Sequence, residues 1–182
     1  MSVSAPALPA TGLCLVVRCH AWVLALAAEH VDRVAGSTDL PEPQRPAFAG
    51  APAALGSVTS PTDDVRHAAW DLGRLLGLGD VAGGWVLMRL PFDGRRLPVA
   101  LRTGPCIGVR PLARTAVRPL PLAAFQPERR AAIGGAIPLD QLGSQAAAEG
   151  TLGLEIRPEH LLTRAELELS VAWLEAPARD RA

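Results

Sequence analysis

Apolar and polar residues alternate with a period of two from Leu13. Leu13, Leu15, Val17 and Cys19 interleave with Cys14, Val16, Arg18 and His20, which predicts a strand. His20-Ala21 reads as a tight turn and Trp22–Leu26 as a return strand, so 13–27 forms a hairpin. Residues 28–34 read as a short helical turn ended by Gly36. Pro41, Pro43, Pro46 and Pro52 make 37–54 an extended connection, because proline suits neither a helix interior nor a ladder. Leu55–Val58 and Arg66–Trp70 read as strands around a polar turn. The second strand runs into Leu72, Leu75 and Leu76, whose i, i+3, i+4 spacing gives a short helix one apolar face. Asp71 stands where a carboxylate caps that helix, and Gly77 where its end needs positive φ.

The second half repeats the pattern. Trp85–Leu90 and Leu97–Leu101 flank Asp93-Gly94, a strong hairpin signal. Further strands are expected at 106–110, 133–139 and 151–156, with a Pro-rich link over 118–127 and a helical turn at 158–162. Cys14–Arg33 corresponds to Val86–Val109, Leu55–Val58 to Ile133–Ile137, and Trp70–Leu76 to Ile156–Leu162. This approximate duplication implies two similar small β units of five short strands each. The fold class is therefore mainly β, two five-stranded barrels with short helices. The expected organisation is a flexible leader over 1–12, two subdomains of about 13–80 and 81–162 with room for strand exchange, and an extension over 163–182. In that extension Thr163 and Glu166 form a capping-box pattern, which argues helix. Leu167, Leu169, Val171 and Trp173 alternate instead, and this favours a strand slightly. Residues after Ala176 are expected to fray.

Composition narrows the chemistry. The 182 residues carry 18 basic and 18 acidic side chains, and every basic one is arginine. Without lysine or tyrosine there is no Schiff-base lysine, P-loop lysine or tyrosine acid. Zero net charge and no basic stripe leave no electrostatic footprint for nucleic acid. The longest uncharged apolar run, Cys19–Ala28, is well short of the ~20 residues of a membrane span, so direct membrane insertion is not expected. Three cysteines without a disulfide framework point to a reducing cytoplasm. Cys14, Cys19 and His20 lack metal-ligand spacing, and Ser57 lies outside any nucleophile elbow. No catalytic residue, cofactor or metal is expected. The pattern suits a binding module better than an enzyme. An enzyme or small-molecule sensor would need a defined pocket with converging polar groups.

One ordered series of segments resembles the CheW family of chemosensory adaptors. It runs Leu15–Arg18, Trp22–Val34, Leu55–Val58, Trp70–Leu78, Gly94–Leu101 and Ile107–Val109. The resemblance covers about residues 13–162. It implies two intertwined SH3-like barrels around a hydrophobic core and a non-enzymatic scaffold. It also implies partners, the cytoplasmic tip of a chemoreceptor and the regulatory domain of a CheA-type histidine kinase, and recruitment to membrane-associated receptor arrays. Family members follow the first Gly-led strand with an Asn-Leu-Arg-Gly turn. Here the same place reads Val58-Thr59-Ser60-Pro61-Thr62-Asp63-Asp64, and the nearest arginine is Arg66. Two acids in place of a base disfavour the usual partner and can select another, such as a motility- or polarity-complex protein. The expected protein-contact residues are Val58, Thr59, Ser60, Asp63, Asp64 and Arg66. Asp71, Leu75, Leu76 and Gly77 are expected to be structural.

Overall fold

The computed structural model describes residues 11–44, 51–121, 123, 125–150 and 152–176. Ten strands build the chain: β1 (Thr11–Cys19), β2 (Trp22–Ala27), β3 (Val31–Gly36), β4 (Ala54–Thr59), β5 (Arg66–Asp71), β6 (Gly84–Phe92), β7 (Arg95–Thr103), β8 (Cys106–Ala113), β9 (Ile133–Ile137) and β10 (Leu152–Ile156). Three helices join them: α1 (Leu72–Leu75), α2 (Ser144–Glu149) and α3 (Arg164–Glu175).

The strands form two five-stranded sheets, ordered β8-β1-β2-β10-β9 and β3-β6-β7-β5-β4. The two share one plan. A hairpin (β1–β2 or β6–β7) pairs on one side with an antiparallel strand (β8 or β3) and on the other with a parallel one (β10 or β5). The sheets do not divide at residue 80. Each half of the chain lends its leading hairpin to the other half's last three strands, so the units are interlocked. Asp93 and Gly94 both have positive φ, 46° and 75°, which matches the twist of the two-residue turn between Phe92 and Arg95.

Alternation sorts the side chains into three clusters. Cys14, Val16, Val23 and Ala25 point into the first sheet's own cluster with Ile137 and Leu142. Ala35, Leu55, Val58, Ala69, Trp85 and Leu87 fill the second sheet's cluster. The opposite faces, among them Leu15, Val17, Leu24, Leu26, Trp70, Val86, Met88, Val99 and Leu101, meet in one large core between the sheets. A one-residue slip in any strand would exchange these faces, so register is tightly specified.

Three expectations fail here. Thr11 and Gly12 belong to β1, paired with Ala113 and Leu112, and not to a leader; residues 1–10 lie outside the described set. The helical turn expected over 28–34 is a 3₁₀ turn at Ala28–His30 followed by β3. A bulge between Val31 and Arg33 inserts Asp32, so the apolar Val31 and Val34 fall three apart, which mimics a helical period. The strand favoured in the C-terminal extension is α3. Thr163 accepts from the Glu166 N–H, and the Glu166 carboxylate takes the Thr163 N–H at 2.8 Å, completing the capping box. The tail after 176 lies outside the described residues.

Candidate functional site

The turn between β4 and β5 is built by its own polar groups. The Ser60 N–H donates to the Val65 carbonyl at 2.9 Å, and the Asp64 N–H returns to the Ser60 carbonyl at 2.9 Å. Asp64 takes φ = 55°, a left-handed conformation that aspartate tolerates. The Val65 N–H reaches Asp63 Oδ1 at 3.4 Å. The Ser60 hydroxyl first, then the Val65 N–H and the charge of Arg33, hold the Asp63 carboxyl below its usual range.

Neighbouring elements fix the turn. Arg33 on β3 donates from Nη2 to Ser60 Oγ at 2.6 Å, bridging the gap between the outer strands of the sheet. Arg66 Nε donates to Ser57 Oγ at 3.0 Å, and its Nη1 donates to the Ala176 carbonyl just past α3. Buried His67 supports the base, its Nδ1 3.0 Å from the Val65 carbonyl. Burial pushes the His67 ring below its usual pKa.

Thr59, Pro61, Thr62, Asp63 and Asp64 are exposed on this turn, and Arg66 is half-buried. Val58 and Ser60 do not belong to the surface. Val58 packs into the sheet's own cluster, and Ser60 is buried as the acceptor for Arg33. Beside Thr62 a groove of about 340 Å³ opens along β3, lined by Arg33, Val34, Ala35 and Asp39. Val34 is 40% exposed there, so the acidic turn borders an apolar side chain.

Asp71 closes the strand that leaves this turn. It is fully buried and caps α1, accepting the Arg74 N–H at 3.0 Å. Its second oxygen takes Arg102 Nη2 at 3.2 Å and the Val81 N–H at 3.4 Å. Leu75 and Leu76 are buried in the shared core, and Gly77 follows with φ = 73°. Gly73 has no room for a side chain, since a Cβ there would sit 2.1 Å from the Gly79 carbonyl.

Sequence reasoning missed Arg129. Its buried guanidinium donates to the carbonyls of Leu75 (3.1 Å) and Leu161 (2.8 Å) and pairs with Glu166 at 2.5 Å. It thus ties α1, the 3₁₀ turn Pro158–His160 and α3 into one corner. The capping-box acid was the only visible signal for it. Trp70 and Ser170 were also missed: the indole N–H donates to Ser170 Oγ at 3.0 Å, while Trp173 packs on the Trp70 ring at 5.2 Å.

No grouping of three or more His, Cys, Asp or Glu suited to a metal occurs among the described residues. A hollow of about 1060 Å³ opens at one end of the first sheet over Cys14, Ala25, Leu112 and Ile156. Its rim acids pair with neighbouring bases, Glu155 with Arg157 at 3.9 Å, and Glu29 and Glu159 both with His30 Nε2 at 3.6 and 3.5 Å. No described helix is long and apolar enough to cross a membrane.

No protein-family model matches the chain. No curated protein matches it in sequence. Among solved structures, the scaffolding protein TtCheW from Thermoanaerobacter tengcongensis is similar, with a TM-score of 0.61 at 12% identity. The match covers 89% of this chain and 94% of that one, so it takes in both sheets and not one shared unit. Over most of its length, the chain is a divergent example of the CheW-like fold.

Proposed function

We propose that this protein is a non-catalytic adaptor of a bacterial chemosensory system, joining chemoreceptor tips to a CheA-type histidine kinase through its sheet surfaces. The observation that carries this reading is the structural likeness to a CheW scaffold across both units. The β4–β5 turn supports it. Its backbone is fixed by internal hydrogen bonds and by Arg33, and it presents Thr59, Asp63 and Asp64 to solvent with little ordering left to do on binding. Arg66 extends that surface to the end of α3.

The acids on the turn favour a second reading. Asp63 and Asp64 stand where CheW-family members carry a base, so a kinase surface shaped for that base would meet like or unmatched charge. In that case the same fold scaffolds a motility or polarity complex not coupled to the kinase. Affinity capture with the full chain, read by mass spectrometry, tests both. Recovery of receptor and kinase supports the first; recovery of motility proteins alone moves the protein to the second. Recovery of no chemosensory or motility component removes both.

A further inference from the structure

Each sheet has two outer strands, and the chain treats these four edges differently. The β4 edge is taken by Gln44, which exchanges both backbone hydrogen bonds with Ser57 at 2.7 and 3.1 Å. The β9 edge is taken by Arg118 in the same way against Ala136, at 2.8 and 2.9 Å. The β8 edge carries Pro111, which has no N–H to offer a further strand. Among the described residues, the β3 edge has no such cover at its centre.

The backbone phase of β3 follows from two independent observations. The two-residue turn at Asp93-Gly94 makes Phe92 and Arg95 a hydrogen-bonded pair. Counting back by twos, Leu90, Met88, Val86 and Gly84 also bond toward β7, so Trp85 and Leu87 bond toward β3. Their β3 partners are Ala35 and Arg33, which leaves the N–H and C=O of Val34 and Gly36 pointing out of the sheet. At Gly36 the second observation agrees. Its N–H donates to Asp39 Oδ2 at 2.6 Å and its carbonyl accepts the Asp39 N–H at 3.3 Å, both outside the sheet. Asp39 therefore closes the end of the edge, and among the described residues none closes it at Val34. The Val34 side chain is 40% exposed, and the groove of about 340 Å³ runs past it to Thr62 on the candidate turn.

We propose that the β3 edge at Val34 receives an extended strand from a partner protein. The outward N–H and C=O of Val34 take one pair of main-chain hydrogen bonds. The incoming strand places a β-branched or aromatic residue opposite the Val34 side chain and runs beside Thr62. Between Arg33 and Gly36 the edge is open at Val34 alone among the described residues, so this is a short contact that adds to binding at the turn and does not replace it. The inference rests on backbone geometry and is independent of whether the partner is a receptor, a kinase or a motility protein.

The test uses the full chain and a phage-displayed library of linear twelve-residue peptides. Selected peptides should alternate β-branched or aromatic residues with polar ones. Saturation with such a peptide should slow hydrogen exchange of the Val34 amide about tenfold or more, without slowing Ala35, whose amide is already paired. Val34→Pro removes the outward N–H at an edge position that tolerates proline and should weaken the peptide about tenfold. Val34→Ala should weaken it only a few-fold. No peptide above background, or peptides that bind with the Val34 amide unprotected and indifference to Val34→Pro, would overturn the proposal. Concentration-dependent protection of Val34 without peptide would also overturn it, assigning the edge to a second copy of this chain. Asp63→Arg/Asp64→Arg should leave peptide binding intact, so loss of the adaptor partners in that variant does not touch this result.

Discussion

Removing the Asp71 carboxylate perturbs three connections at once. Asp71 is fully buried, caps α1 through the Arg74 N–H, accepts the Val81 N–H and pairs with Arg102. In Asp71→Ala the lost cap costs about 1 kcal/mol. A guanidinium left without its partner in a fully dry site costs about 3–5 kcal/mol. Arg102 is about a quarter exposed (26%) and lies 6.0 Å from the Trp85 ring centroid, so water and the ring offset part of that loss. About 2 kcal/mol is the appropriate share, giving about 3 kcal/mol in all. Urea unfolding followed by far-UV circular dichroism should show a midpoint lower by about 1 M, and the melting temperature should fall by about 6–12 °C. Asp71→Asn keeps an oxygen for the cap and should lose about half as much. A double-mutant cycle with Arg102→Met should return a coupling of about 1 kcal/mol or more. A loss below about 1 kcal/mol in Asp71→Ala, or zero coupling to Arg102, would refute the view that this carboxylate locks the end of β5 to α1 and β7.

Four further outcomes follow from the same geometry. Trp173→Ala removes a buried indole from the Trp70 ring and should cost about 3–4 kcal/mol by urea unfolding, with a change in native tryptophan emission. Burial pushes Glu166 up, but Arg129 and the Thr163 N–H and hydroxyl outweigh it and hold the carboxyl below its usual value. Its contribution is thus present above about pH 4.5 and is lost as pH falls through the folded pKa, a loss that Glu166→Gln should remove from the acid-unfolding curve. His67 is held neutral by burial, so stability is full above about pH 6.5 and declines as pH falls through its lowered folded pKa; His67→Asn should flatten that step in pH-resolved unfolding. Cys19 is buried, and burial together with the Asp71 charge pushes its thiol up to about 12, while Cys106 is exposed. Ellman's reagent at pH 8 should therefore titrate Cys106 in the native protein and all three thiols in urea.

Local chemistry was readable wherever a short span decides the structure. The Asp93-Gly94 turn, the Asp71 cap and the alternation of β1, β2, β6 and β7 each need only neighbouring residues. The hairpin exchange depends on β2 finding β10 and β5 finding β7, parallel pairs separated by long stretches of chain that no local pattern encodes. At β3 the inserted Asp32 shifted the alternation and made a strand look helical. In α3 two local signals conflicted and the capping box prevailed. Leu167, Ser170 and Trp173 share the face packed inward, and a buried serine is a poor marker of a core face unless Trp70 is known to need an acceptor. The candidate turn was readable as a departure from a family pattern. The burial of Val58 and Ser60 was not: Val58 packs into a cluster that draws on β3 and β6, and Ser60 is held by Arg33 reaching across from another strand.

The adaptor reading is tested most directly by isothermal titration of the full chain with the purified regulatory domain of a CheA-type kinase and with a receptor tip fragment, both from the same organism. The account predicts saturable binding to both, changed about tenfold or more by Asp63→Arg/Asp64→Arg and unchanged by a charge reversal at Glu168, an exposed site on α3. Absence of saturable binding to either partner, or binding indifferent to reversal of the turn's charge, would contradict it.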